Sequence, residues 1–406
     1  MQADTAASDE VPFYPMPRAA GCPFDPAPEA QALLHTTPIS RVRIWDGSSP
    51  WLITRHDHAR AILTDNRFSA VTTRPGYPAA SQGQLTRRRT APTFIAMDGD
   101  DHKRQRRMLI GEFTVRRMQQ LRPAVADVTA ALLDQMAQQS PPIDLVENFA
   151  LPLPSIVISR LLGVPYSDHD FFQSRSRTLM GVHTTEKQAE QASNDLLDFL
   201  IDLVAARQAG PSDDLIGRLA QHVAGGELER KEAASMALLL LFAGHETTAN
   251  MIALGALVLL ERPELAAVMR HGDDSAVTAG VEELLRLLTV AHLGRRRVAL
   301  EDVDFAGVRI HAGEGIIVAS ELANRDPEKF ANPDECDFDR AANQHMAFGF
   351  GAHQCLGQSL ARLELQVCYP ALFQRFHGLR AAVPSDQLQF REEMVVYGLY
   401  ELPVTW

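Results

Sequence analysis

The segment Phe348-Gly-Phe-Gly-Ala-His-Gln-Cys355-Leu-Gly357 sets three glycines around one cysteine, directly ahead of an apolar run of helical spacing. Glycine lets the backbone turn with positive φ and lets a large flat partner come close. A cysteine at the start of a helix meets free N–H groups and the positive end of the helix dipole, and both favour the thiolate. Cys355 is therefore expected to stay ionised. Bound to iron, such a thiolate donates electron density that favours O–O cleavage, and N–H groups aimed at the sulfur tune that donation. A buried cysteine acting as a small hydrophobe is the competing reading, and the glycines around it argue against that.

A second group stands in Ala243-Gly244-His245-Glu246-Thr247-Thr248, halfway along the longest apolar stretch, Ala233 to Leu260. A carboxylate and a hydroxyl inside an apolar helix are placed to relay protons to a bound oxygen species. Gly244 would ease a local opening of the helix beside them. The alternative is that Thr247 and Thr248 bond back to the helix carbonyls and only bend it. His245-Glu246 also opens the zinc-hydrolase pattern HExxH, but residue 249 is alanine, so the second ligand is missing.

Two further sets are weaker alone. His102 and Arg106 are spaced i, i+4, and Arg297 opens a β-type run; their convergence on two carboxylates of a buried ligand competes with simple solvation. Glu283 and Arg286 share a helix face and can pair, as many surface residues do.

Helices must carry most of these groups. Apolar residues recur at helical spacing from Asp101 to about Gly210, broken at Pro141-Pro142 and Gly163-Val-Pro165, which predicts four or five helices. A short strand, Trp51 to Thr54, and a helix after Asp57 come earlier, and Val71 to Ile95 reads as a lid-like loop. The long central helix starts near Glu229, another helix covers about Ala276 to Leu288, and the last runs from about Leu356 to Phe376. Between them Arg297-Val-Ala, Val303-Asp-Phe, Val308-Arg-Ile and Gly315-Ile-Ile-Val-Ala predict a small sheet, and Met394 to Trp406 alternates like a hairpin or edge strand.

Composition narrows the class. The 406 residues are 46% hydrophobic and 22% charged, as in an ordinary globular protein. A net charge of −12 argues against nucleic acid or anionic lipid as general partners. Four cysteines form no CxxC pair, which fits a reducing cytoplasm. A carboxylate at the middle of the apolar stretch is costly in a bilayer, so no membrane span is expected there.

The cysteine segment resembles the haem-binding loop of the cytochrome P-450 family, Phe-x-x-Gly-x-His/Arg-x-Cys-x-Gly, at every fixed position. The resemblance runs from about Phe13 to Trp406 and includes Ala323-Asn-Arg-Asp-Pro327. It implies a mainly α fold with a small β subregion, haem b (iron protoporphyrin IX) lying between the long central and final helices. Residues 1–12 would be a flexible lead-in and 13–406 one haem-binding monooxygenase domain. Cys355 would be the iron ligand, with Phe348, Gly349, Gly357, Ala243 and Gly244 around the haem. Ala-Gly-x-Asp/Glu-Thr is similar to the family's oxygen-activation motif, which assigns proton delivery to Glu246 and Thr247. His102, Arg106, Arg297 and His353 fall where the family binds its propionates, and Glu283, Arg286 and Arg340 match its structural network. Cys336 stands where the family commonly has an aromatic, and Gly99-Asp100 replaces a proline-rich turn.

The resemblance implies an O2-dependent monooxygenase, monomeric and cytoplasmic, acting on a lipophilic polyketide, macrolide, terpenoid or steroid-like metabolite. No GxGxxG or iron–sulfur cysteine pattern is present, so electrons would come from NAD(P)H through ferredoxin reductase and ferredoxin. Arg104 and Arg107 could dock that carrier. Pocket positions by resemblance are Met180, Thr289, Val290, His292, Leu293, Val395 and Val396, with Arg87-Arg88-Arg89 a possible contact for an acidic guest. Rival readings are a peroxide-driven peroxygenase, an oxidative ring-coupling enzyme of the same family, a non-catalytic haem sensor and a protein without haem.

Overall fold

A computed structural model describes residues 11–18, 22–81, 92–180, 185–210, 212–340, 344–392 and 394–406. Residues 82–91, with the three arginines 87–89, lie outside them.

The central helix, Arg230–Glu261, forms because its residues are apolar on nearly every side, a pattern that is stable only when surrounded. It is long and apolar enough to cross a membrane, yet 61% of that window is buried inside the protein. Helices Pro152–Leu162, Glu186–Ala209 and Gln358–Arg375 pack along it. A capping box starts it: Glu232 accepts from the Glu229 N–H at 2.9 Å. Five α-helices fill residues 99–209, Gly99–Ile110, Val115–Ala137, Pro152–Leu162, His169–Met180 and Glu186–Ala209, and the shorter Leu215–Ala224 follows before the central helix. Gly163, at φ 83°, ends the third of these in the left-handed conformation that glycine takes most easily.

The strands follow in chain order as β1 (Ile39–Arg41), β2 (Trp51–Ile53), β3 (Phe68–Ser69), β4 (Ile143–Asp144), β5 (Arg295–Ala299), β6 (Val303–Phe305), β7 (Val308–Ile310), β8 (Gly315–Val318), β9 (Arg380–Ala381) and β10 (Pro403–Thr405). The main sheet has the order β1-β2-β8-β5-β3, in which β5 runs antiparallel to β8. Of the expected C-terminal hairpin or edge strand only β10 forms, as the middle strand between β4 and β9, and an isolated bridge joins Phe390 to Leu399. At the other end the chain is tied down before residue 13, since the Pro12 carbonyl accepts from the Arg43 N–H at 2.8 Å.

Candidate haem-thiolate site

The cysteine loop is built by its glycines. Gly349 and Gly351 have φ values of 69° and 74°, and the Cys355 N–H donates to the Phe348 carbonyl at 2.8 Å, closing the loop. A Cβ on Gly351 would lie 2.5 Å from the Leu63 carbonyl oxygen, and one on Gly349 would lie 2.4 Å from Arg295 Nε. Gly357 is different: its φ is −81° and a Cβ there would meet nothing within 4 Å.

A cavity of about 400 Å³ lies between this loop and the central helix. Cys355, Leu356, Gly357 and Phe348 border it from the loop, and Ala243, Gly244, Thr247 and Thr248 from the helix. Apolar side chains such as Phe94, Ile158, Leu240 and Leu285 cover most of the rest. Cys355 is exposed, and that exposure faces the cavity. Burial in the protein pushes its thiol up; the Gly357 N–H and the charges of Arg295, Arg106 and Arg362 act the other way without prevailing. The expectation that the protein alone keeps Cys355 ionised is thus not met. A bound metal deprotonates a coordinating thiol outright.

One edge of the cavity is rich in positive charge. Arg106, Arg297 and His353 line it, and the His102 and His353 rings lie 4.2 Å apart. Arg106 Nη2 donates to the Gln354 carbonyl at 2.6 Å, and Arg297 Nη1 to the Arg296 carbonyl at 2.8 Å. Burial, together with the charges of His353 and Arg106, pushes His102 down to about 4, and its Nε2 is buried without a hydrogen-bond partner. Asp98 is the one carboxylate in ion-pair distance among the described residues, 3.8 Å from His353 Nε2. Despite its burial, hydrogen bonds from His353, Ser69 and the Ala70 N–H hold its carboxyl well below the usual range.

These features fit a haem. Open space at Gly357 suits a flat ring over the thiol, and an orphaned imidazole nitrogen with surplus guanidinium charge suits two carboxylates.

Glu246 and Thr247 diverge. The central helix runs without the expected opening, and the Thr247 hydroxyl bonds back to the Ala243 carbonyl at 2.7 Å. Thr247 still borders the cavity. Glu246 does not; its carboxylate pairs with Arg391 at 3.0 Å.

Glu283 and Arg286 are almost fully buried and bidentate, with both nitrogen–oxygen distances 2.8 Å. Arg340 Nε reaches both Glu283 oxygens at 3.0 and 3.1 Å. Arg286 also donates to the carbonyls of Asn324, Pro333 and Glu335. Asn324 in turn accepts from the Met346 N–H, so the network reaches the start of the cysteine loop. Cys336 packs beside it, its thiol pushed up to about 12 by burial and the Glu283 charge.

Of the pocket positions, Thr289 and Val290 border the cavity. His292 is turned to the Met394 carbonyl at 2.6 Å, Leu293 offers its carbonyl to Arg296, Val396 is buried and Val395 is 57% exposed; none of these four is among the lining residues. Met180 ends its helix. Three groups were not singled out from the sequence. Arg295 lines the cavity, Arg391 holds Glu246, and Glu282 chelates Arg362 at 2.6 and 2.9 Å while the Arg362 guanidinium lies 4.6 Å over the Phe348 ring.

A thiol loop and a helix bearing threonine, facing one cavity with a cationic edge, define a haem-thiolate oxidoreductase. The family model for Cytochrome P450 matches residues 171–395. The chain is 47% identical to Cytochrome P450-SU2 of Streptomyces griseolus over 100% of this chain and 99% of that one. It is 46% identical to the vitamin D3 dihydroxylase of the same organism, again over 100% and 99%. The crystal structure of GfsF superposes with a TM-score of 0.93 at 45% identity, covering 98% of this chain and 100% of that chain. The chain belongs to the cytochrome P450 family: it is a haem-thiolate monooxygenase that uses O2, a redox partner and a small-molecule substrate.

Proposed function

We propose that this enzyme inserts one oxygen atom of O2 into a lipophilic metabolite of polyketide, terpenoid or steroid-like type, with water as the second product. The observation that carries the reading is a single, mostly apolar cavity bordered by both Cys355 and Thr247. The vitamin D3 dihydroxylase among its relatives supports a guest of that character.

In this reading haem b supplies the oxygen-activating iron. Cys355 ligates it from the loop, and Gly357, Gly244 and Ala243 leave room for the ring. His102, Arg106, Arg297 and His353 take the two propionates, which offsets the charge now crowded there. Thr247 directs its hydroxyl proton toward the cavity when it leaves the Ala243 carbonyl, and Glu246 replenishes it from the outer side of the helix. Thr289 and Val290 meet the guest. Glu283, Arg286 and Arg340 keep the loop's approach rigid.

Electrons would arrive from NAD(P)H through ferredoxin reductase and ferredoxin. Arg107 is exposed and available to an acidic carrier, whereas Arg104 is engaged by Glu232 at 2.9 Å and by the Glu227 carbonyl. A cytoplasmic monomer of one domain fits this role.

Replacing Cys355 by serine tests the ligand assignment. The thiolate-type absorption of the carbon monoxide complex and substrate turnover should both vanish. Unchanged colour and product formation would refute it.

A further inference from the structure

Strand β5 carries three consecutive arginines, and side chains alternate across a strand, so Arg295 and Arg297 share a face. Arg297 belongs to the cationic edge described above. Arg295 turns toward the cysteine loop instead. Its Nη2 donates to the Ala347 carbonyl at 2.7 Å and its Nη1 to Ser320 Oγ at 3.2 Å. Its stem fills the space that a side chain at 349 would need, so the loop must have glycine there both for its positive φ and for this guanidinium.

All of these partners are neutral. Among the described residues Arg295 has no carboxylate in ion-pair distance, although it lines the same cavity as Cys355. Burial accordingly lowers it to about 10. A buried cation without a counter-ion is costly unless some group nearby becomes negative.

We propose that Arg295 is a positioning residue for Cys355, bracing the backbone at residues 347–349 and setting an uncompensated positive charge on the wall of the cavity that the sulfur borders. This rests on the reading of Cys355 as the iron ligand. A fixed cation there withdraws electron density from the thiolate and favours the reduced centre, and the loop contact keeps the sulfur in place.

The test uses haem-loaded Arg295→Gln and Arg295→Lys protein. In Arg295→Gln the ferric/ferrous midpoint should move to lower potential, and the thiolate-type carbon monoxide spectrum should decay several-fold faster than in the parent. Arg295→Lys keeps the charge but not the fork, so its potential should stay nearer the parent while its spectrum still decays faster. An unmoved potential with a parent-like decay in Arg295→Gln overturns the proposal. If that variant yields no loaded protein, Arg295→Lys decides alone: faster decay supports the brace, parent-like decay overturns it. Rebuilding with haem dimethyl ester separates a rival route, because a shift that disappears there acts through the propionates and also overturns the proposal. A Cys355→Ser protein that kept the thiolate-type spectrum would instead remove the ligand assignment itself, whatever Arg295 does.

Discussion

Glu246, midway along the central helix, is ion-paired at 3.0 Å with Arg391, a residue of the C-terminal segment 145 positions away. That segment is fitted closely to the helix. A Cβ on Gly398 would lie 1.6 Å from Asn250 Oδ1, and Asn250 Nδ2 donates to the Glu246 carbonyl at 2.9 Å. The Arg391 N–H itself donates to the Gly398 carbonyl at 2.9 Å. The carboxylate assigned to proton delivery is therefore held by an element that carries none of its motif.

The pair lies between an exposed ion pair, worth about 0–1 kcal/mol, and a buried one, whose disruption costs about 3–5 kcal/mol. Arg391→Met is expected to cost roughly 2 kcal/mol, read as a lower unfolding midpoint of the holoenzyme. In a double-mutant cycle with Glu246→Gln the two effects should be clearly less than additive. Additive effects would show that the contact does not matter to stability.

Thr247→Ala removes the hydroxyl and its bond to the Ala243 carbonyl but leaves the cavity walls in place. Haem content and substrate affinity are expected to stay near the parent values. Product formed per electron pair should fall by roughly tenfold or more, with reduced oxygen species released instead. Thr247→Ser should recover most of the yield. A fall in haem content would mark the residue as structural.

How much of this was legible differs from residue to residue. The cysteine loop could be read because glycines at positive φ leave a trace in composition that few other structures need. Glu283 with Arg286 was legible because i, i+3 spacing puts both on one helix face. The unbroken run of the central helix past Gly244 was not, since the Thr247 hydroxyl could equally bond back or leave room for an opening, and surrounding packing decides between them. Arg391 left no trace, because nothing local ties it to Glu246. Arg295 was hidden among three arginines, where only the sheet register separates their roles.

Arg286→Lys tests the buried network. Arg286 donates five hydrogen bonds, two to Glu283 and three to carbonyls, and a lysine cannot reproduce that fork. A loss of about 3–5 kcal/mol is expected, with haem content reduced in the soluble fraction. Glu283→Gln should behave similarly. Normal loading with an unchanged melting midpoint would contradict the role assigned to the network.

Glu282 should set an acid limit on stability. Although burial opposes it, hydrogen bonds from His345 and Arg362 lower its carboxyl from 4.5 to about 2. A carboxyl lowered in the folded state contributes its full stability above the unfolded value and loses it as pH falls through the folded one. The contribution should thus fade between about pH 4.5 and 2. Urea midpoints of Glu282→Gln should lie below the parent at pH 7 and converge with it toward pH 3. A constant gap across that range would refute the assignment.

Gly357→Ala asks whether the cavity wall serves the protein or something bound to it. The backbone there has an ordinary φ of −81°, and among the described residues no atom beyond the adjoining ones lies within 4 Å of the added methyl. Alanine should therefore leave backbone circular dichroism and expression unchanged, since no strain or clash arises within the chain itself. Haem is expected to be retained several-fold less well, because Gly357 borders the cavity and the methyl takes up open space at its wall. Gly351→Ala is the contrast: its φ of 74° and the 2.5 Å approach to the Leu63 carbonyl oxygen should disturb folding as well as loading. If Gly357→Ala loads haem as the parent does, the open space at that position has another purpose and the fit argued for the ring fails there.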